Sequence, residues 1–224
     1  MKHHDDSPPK SISKQLGAII LAGGVSSRLH QKCLRSLGGK PLILHVYDQL
    51  SKVTQNIVVV TRTSEQADKL GEVLPEVRIV LDELQAQSPL VGLLTGLRAL
   101  KTGYAFATSC DAPFIEPRLV RSLFEFALGN DCAVPLSRGM IEPLIAVYNR
   151  AATLRASTKS IEVGEMSMNE MITRLKKPVY VPLADLRSTD LNLLSLQNVN
   201  TQFELSRARR ILTKRRRMDK GILL

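Results

Sequence analysis

With 224 residues, 44% hydrophobic and 23% charged, the chain has enough apolar side chain to bury one core, so a single α/β domain is expected. No apolar run approaches the ~20 residues needed to cross a bilayer, and residues 1–14, MKHHDDSPPKSISK, lack a signal-peptide core and read as a loose leader. The formal charge of +10 is concentrated in one segment, because Arg207 to Lys220 holds eight Lys or Arg against one acid and leaves the rest at +3.

The expected domain covers residues 15–206, followed by a basic C-terminal helix or tail over 207–224. A basic terminal helix can bind nucleic acid, but no aromatic residue interleaves these arginines to stack on bases, and a solvated extension is the simpler reading. Cys33, Cys110 and Cys132 are odd in number and widely spaced, which argues against a disulfide framework and for a reducing compartment, the cytoplasm by default. They read as buried small hydrophobes.

In chain order, Leu16 to Ile20 is a short β-branched run that reads as a buried strand, so Gly23 and Gly24 fall where a strand leaves a sheet. Without a Cβ, that loop can reach φ > 0 and bring backbone N–H groups close to an anion. Arg28 and Lys32 then add a forked donor and a point charge. Lys40 to Val53 reads as a helix, Asn56 to Thr61 as a strand, and Ser64 as the cap of a short helix through Leu70. Val77 to Leu81 returns as a third strand ending at Asp82. Pro89 opens a helix through Leu100, and Tyr104 to Ser109 forms a fourth strand ending at Cys110-Asp111. Pro117 starts a helix to Leu128.

Further on, Cys132 to Leu136 and Ile141 to Tyr148 are expected to be strands around a Ser-Arg-Gly turn, with Pro135 and Pro143 marking edges or irregular pairing. Ser167 caps a helix from Met168 to Leu175, Val179 to Leu183 is a last short strand, and Thr201 with Glu204 forms a capping box before the terminal helix. If the sheet is parallel, the glycine loop and Asp111 lie at the same edge and face each other.

Two common phosphate motifs fail on spacing. A P-loop would need glycine at Leu34 and Ser or Thr at Pro41, and a dinucleotide fingerprint does not match GGVSSR or the second strand's end at Val60-Thr61-Arg62. No G-x-S-x-G elbow occurs, and His3, His4, His30 and His45 show no metal-ligand spacing with cysteine, so a serine hydrolase and a zinc site are disfavoured. The residues that remain suit a triphosphate: the glycine loop, Arg28 and Lys32 for its oxygens, Asp111 as a hard ligand for Mg²⁺, and Asn198 or Asn200 as a second oxygen ligand. That set fits nucleotidyl transfer, in which a substrate phosphate attacks the α-phosphorus and pyrophosphate leaves.

LAGGVSSR, Lys32 and GGKPLILHV resemble the signature of the molybdenum cofactor guanylyltransferases, and so do Asp82, SPLVGLLTGL, SCDAPFI, EPLIAVYNR and NVNTQFEL. The resemblance extends from about residue 16 to about residue 212. It implies a Rossmann-like three-layer nucleotidyltransferase fold with a mainly parallel mixed sheet, and transfer of GMP from GTP with Mg²⁺ to molybdopterin carrying molybdenum. Carried over by position, Leu21, Ala22, Gly23, Gly24 and Lys32 would contact GTP, with Asp82 on the nucleotide and Asp111 on Mg²⁺. Asn200 would be a second metal ligand, and an apo-molybdoenzyme or insertion protein would receive the product. The run from Arg28 to Lys32 is shorter than the family's and lacks its glycine and aspartate, and Ser88 stands where the family has glycine. A cytidylyltransferase, an adenosylcobinamide-phosphate or sugar-phosphate nucleotidyltransferase, and a degenerate nucleotide- or RNA-binding member are the alternatives.

Overall fold

The computed structural model describes residues 15–23, 32–84 and 86–219, with side chains through Arg215. β1 (Leu16–Leu21) is followed by a single turn of 3-10 helix (Lys32–Leu34), the strands β2 (Ser36–Leu37) and β3 (Lys40–Pro41), and α1 (Leu42–Leu50). β2 and β3 form a tight hairpin because Gly38 and Gly39 supply the two positive φ values, +63° and +89°, that a twist-matched two-residue turn requires. Lys40 and Pro41, expected to open the helix, are therefore strand residues, and the helix begins two residues later.

The β/α alternation continues through β4 (Ile57–Thr61), α2 (Ser64–Val73), β5 (Arg78–Leu81), α3 (Pro89–Ala99), β6 (Tyr104–Ser109) and α4 (Pro117–Ala127). The cap of α2 is Thr63 rather than Ser64: its backbone is extended and its hydroxyl accepts the Gln66 amide at 3.2 Å, so Ser64 is already helical and the helix runs on to Val73. Next come β7 (Cys132–Ser137), β8 (Met140–Ile141), β9 (Ile145–Asn149), α5 (Arg150–Glu162), α6 (Met168–Thr173), β10 (Pro178–Pro182), α7 (Leu183–Leu186) and α8 (Gln202–Asp219).

The main sheet runs β10-β7-β9-β6-β1-β4-β5, with β8 alongside β7. β1 is parallel to both β4 and β6, β4 to β5, and β7 to β10, while β9 is antiparallel to β6 and β7. This is the mainly parallel mixed sheet expected. Pro135 lies in an interior strand, opposite Val181 of β10, so it marks irregular pairing rather than an edge. Its missing donor falls where β7 changes partner from β9 at Ala133 to β8 at Leu136.

Alternating strand residues feed two cores, one on each face of the sheet. Leu16, Ala18 and Ile20 pack with α1, α2 and α4 through Val46, Leu70 and Leu123, whereas Ile19, Val58 and Val60 pack with α3, α5 and α6 through Leu93, Ala156 and Ile172. The expected face of α3, Leu93, Leu97 and Leu100, lies in the second core. α5 was not legible in advance, because its buried face is Ala152, Thr153, Ala156, Ser157 and Ser160 rather than large aliphatics.

The Thr201–Glu204 capping box forms as the spacing predicts. Thr201 Oγ1 accepts the Glu204 amide at 3.2 Å while Glu204 accepts the Thr201 amide at 2.8 Å. Leu205 and Ala208 of α8 pack under Leu37, Leu42, Phe114 and Val199, and Arg215 reaches Glu116 at 2.7 Å and lies over the Phe114 ring. The helix therefore continues through residue 207 without a break. Among the described residues, no helix is long and apolar enough to cross a membrane.

Candidate active site

The parallel pairing of β1 and β6 sets the geometry. Leu21 lies opposite Ser109, and the Cys110 amide donates to the Leu21 carbonyl at 3.0 Å, so Ala22-Gly23 and Cys110-Asp111 leave the sheet side by side at its carboxyl edge. Asp111 is buried, and Ser109 Oγ donates to its Oδ1. Its backbone carbonyl accepts the Val199 amide at 2.8 Å, which brings the Asn198 to Asn200 segment to the same edge. The Lys32 ammonium donates to both Asp111 Oδ2 and Asn200 Oδ1. Three residues separated by 79 and 168 positions thus meet at one point.

Beside this cluster lies a cleft of about 310 Å³ lined by Leu21, Gly23, Arg62, Asp82, Ser88 and Ser109, among others. Asp82 follows β5, and its amide donates to the Thr61 carbonyl at 2.8 Å. Its Oδ1 is buried with no hydrogen-bond partner. Burial holds the Asp82 carboxyl above the usual aspartate range, and Arg62 and the Thr95 hydroxyl only partly offset this. An acceptor oxygen kept dry without a donor is what a hydrogen-bonding ligand would satisfy.

Leu21, Gly23 and Asp82 therefore share the cleft, while Lys32, Asp111 and Asn200 converge beside it. Ala22 lies between Leu21 and Gly23, with its amide committed to the Val60 carbonyl at 2.8 Å and its side chain buried. Gly23 does not adopt positive φ; the need there is space, because a Cβ would stand 2.5 Å from Arg62 Cγ. Gly24 and Arg28 lie outside the described residues. Asn198 lines a separate cavity of about 240 Å³ under α8, with Phe114, Glu204 and Arg207.

Ser88, the departure from glycine, has a structural role. Its hydroxyl caps α3 by accepting the Leu90 amide at 3.0 Å and donates to the Met166 carbonyl. Arg62 was missed as a site residue, although a cation ending the second strand was visible in the sequence. The cysteine reading needs correction: Cys33 and Cys110 are paired as a disulfide, with Cα atoms 5.4 Å apart, and only Cys132 remains a buried free thiol among the described residues. The turn after Lys32 and the turn before Asp111 close that 77-residue separation, which spacing alone does not reveal.

The donors suit a hard cation. Asp111 and Asn200 each present an oxygen to the same ammonium, and Mg²⁺ characteristically takes only one or two protein oxygens with the remainder from phosphate and water. Among the described residues no group of three or more His, Cys, Asp or Glu forms a self-sufficient metal cage.

Residues 18–177 match the family model described as a MobA-like NTP transferase domain. A protein of Methanosarcina mazei named probable molybdenum cofactor guanylyltransferase is 32% identical over 196 residues, covering 84% of this chain and 87% of that protein. A Desulfosudis oleivorans protein named molybdenum cofactor guanylyltransferase is 31% identical, covering 85% and 92%. The crystal structure of molybdopterin-guanine dinucleotide biosynthesis protein A from Archaeoglobus fulgidus superposes with a TM-score of 0.77 at 29% identity, covering 88% of this chain and 99% of that one. With the sheet order and the carboxyl-edge site in place, these likenesses make the chain a member of the MobA-like NTP transferase family, a nucleotidyltransferase.

Proposed function

We propose that this enzyme transfers GMP from GTP to the terminal phosphate of molybdenum-carrying molybdopterin, forming the guanine dinucleotide and pyrophosphate. The observation that carries the reading is the meeting of Lys32, Asp111 and Asn200 beside a cleft whose one buried carboxylate oxygen, on Asp82, lacks a donor. The named relatives support the choice of GTP and molybdopterin.

Guanine is oriented by Asp82, which accepts from its N1–H and N2–H₂ edge. Gly23 leaves room at the end of β1 for the Arg62 side chain, and Leu21 and Arg62 flank the nucleotide. Asp111 and Asn200 would hold Mg²⁺, which when bound supplies positive charge against the phosphate oxygens. Lys32 turns from these two oxygens to the triphosphate and neutralises charge as it develops on the reacting phosphate. Arg28 joins it in the same role. Holding acceptor phosphate and α-phosphorus in line supplies the remaining acceleration, so no general base is required of the protein. One nucleotidyltransferase unit from residue 15 that takes in the first turns of α8, with the basic remainder of that helix after it, would act in the cytoplasm, where GTP is available.

The test is a titration of GTP, CTP and UTP with Mg²⁺, followed by transfer assays with molybdopterin. GTP should bind and react selectively. Asp111→Ala should abolish transfer while the fold survives, because the contact from Val199 is to the backbone carbonyl of residue 111. Selective use of CTP would replace the guanylyl reading with a cytidylyl one.

A further inference from the structure

The Cys33–Cys110 disulfide has a placement that a merely structural crosslink does not need. Cys33 directly follows Lys32 and Cys110 directly precedes Asp111, so one covalent bond ties together the backbones that carry the two charged site residues. In this bonded form the Lys32 ammonium sits on Asp111 and Asn200, the two oxygens assigned to the cation. Cys33 Sγ also lies 3.4 Å from the Ala22 carbonyl oxygen. A disulfide sulfur has no proton to give that oxygen, which already accepts from Gln66 Nε2 at 2.7 Å, whereas a thiol can add a second hydrogen bond to it.

We propose that Cys33 and Cys110 form a thiol–disulfide switch that closes the nucleotide site when oxidised, by locking Lys32 against Asp111 and Asn200. This rests on the site reading given above. In the reduced protein the turn at Lys32–Leu34 is tied to the Asp111 turn only through noncovalent contacts, and Lys32 is released toward the triphosphate. Where thiols are normally kept reduced, a disulfide is typically transient, catalytic or redox-sensing, which favours a switch over a permanent staple.

The oxidant belongs to the class of small organic disulfides. One cysteine sulfur, as thiolate, attacks the reagent's S–S bond, forms a mixed disulfide and expels one thiolate. The second cysteine sulfur attacks the protein-bound sulfur of that mixed disulfide and expels the other. Two protein S–H bonds and one reagent S–S bond become one protein S–S bond and two reagent S–H bonds, so the protein loses two electrons and two protons to the reagent. A dithiol reductant reverses the change.

The experiment uses the full chain equilibrated with glutathione disulfide or with dithiothreitol. Each sample is acid-quenched, freed of reagent, alkylated with iodoacetamide under denaturing conditions and weighed intact. With three cysteines in the chain, the oxidised form should take one acetamide, at Cys132, and the reduced form three. Mn²⁺ in the presence of GTP, titrated by calorimetry, is the probe for the site. The oxidised form should bind it at least about tenfold more weakly than the reduced form. Cys33→Ser and, as a second variant, Cys33→Ala should bind Mn²⁺ and GTP like the reduced wild type after either treatment.

Three acetamides after both treatments, or equal Mn²⁺ affinity in the two wild-type forms, would overturn the switch while the nucleotide site stands. Failure of the reduced protein to bind GTP at all would instead remove the site reading, and the switch with it.

Discussion

Replacing Asp82 by asparagine keeps the side chain's shape and removes its charge. The carboxyl is held above its ordinary range chiefly because it is desolvated, so the folded state carries a cost that the unfolded chain does not. Asparagine keeps an acceptor oxygen but sheds the desolvated charge; because Asp82 is only half-buried and Arg62 offsets part of the penalty, the gain from Asp82→Asn is about 1 kcal/mol. For a domain of this size that is a rise in melting temperature of about 2–4 °C. The pH dependence has a definite sign. Above the raised folded value the carboxylate is charged in both states and the cost is complete; as pH falls through that value toward the unfolded one, the folded state takes up a proton and the cost is relieved. The variant's advantage should therefore be present at neutral pH and vanish in acid. Binding moves oppositely: losing two hydrogen bonds to a charged acceptor should weaken GTP by about 100-fold or more. Thermal melts across pH and GTP calorimetry read the two effects in one protein. A variant that melts below wild type at neutral pH, or that binds GTP within about threefold of wild type, would refute the account of Asp82 as a ligand acceptor held dry in the free protein.

Three further outcomes follow from the geometry. Lys32→Met should leave buried Asp111 without its counter-charge, lowering stability by about 1–3 kcal/mol in urea melts at neutral pH. Gly96→Ala should cost about 1–3 kcal/mol by the same measurement, because the new methyl would stand 2.6 Å from Ile19 Cγ2 where α3 crosses β1. Glu204→Gln should lower the melting temperature at neutral pH. Although burial works the other way, the Asn200 and Thr201 amides, the Thr201 hydroxyl and Lys32 hold the Glu204 carboxyl below its usual range. Its contribution is therefore present above the ordinary glutamate range and lost as pH falls through the lowered value, so the wild-type and variant melts should converge in acid.

Local chemistry was enough to read much of the chain. The β-branched runs at Leu16 and Ile57, the prolines opening α3 and α4, and the reciprocal Thr201–Glu204 box act within a few residues of themselves, so their outcome is written in short stretches of sequence. The expectation that Asp111 and the glycine turn share an edge needed only parallel strands, and β1 and β6 supply them as neighbours. α5 escaped because small hydroxyl and alanine side chains can line a tight helix interface without leaving the aliphatic stripe that periodicity detects.

What tertiary structure alone decided is the set of meetings across long stretches of chain. Lys32 lies on Asp111 and Asn200, Cys33 joins Cys110, Arg62 enters the Asp82 cleft, and Ser88 trades the flexibility of glycine for a bond to Met166. Strand order and crossover packing choose such partners. A residue's own neighbours in sequence carry its propensity and its charge, but the free energy of a pair separated by dozens of positions is set only once the sheet has brought both ends to one edge.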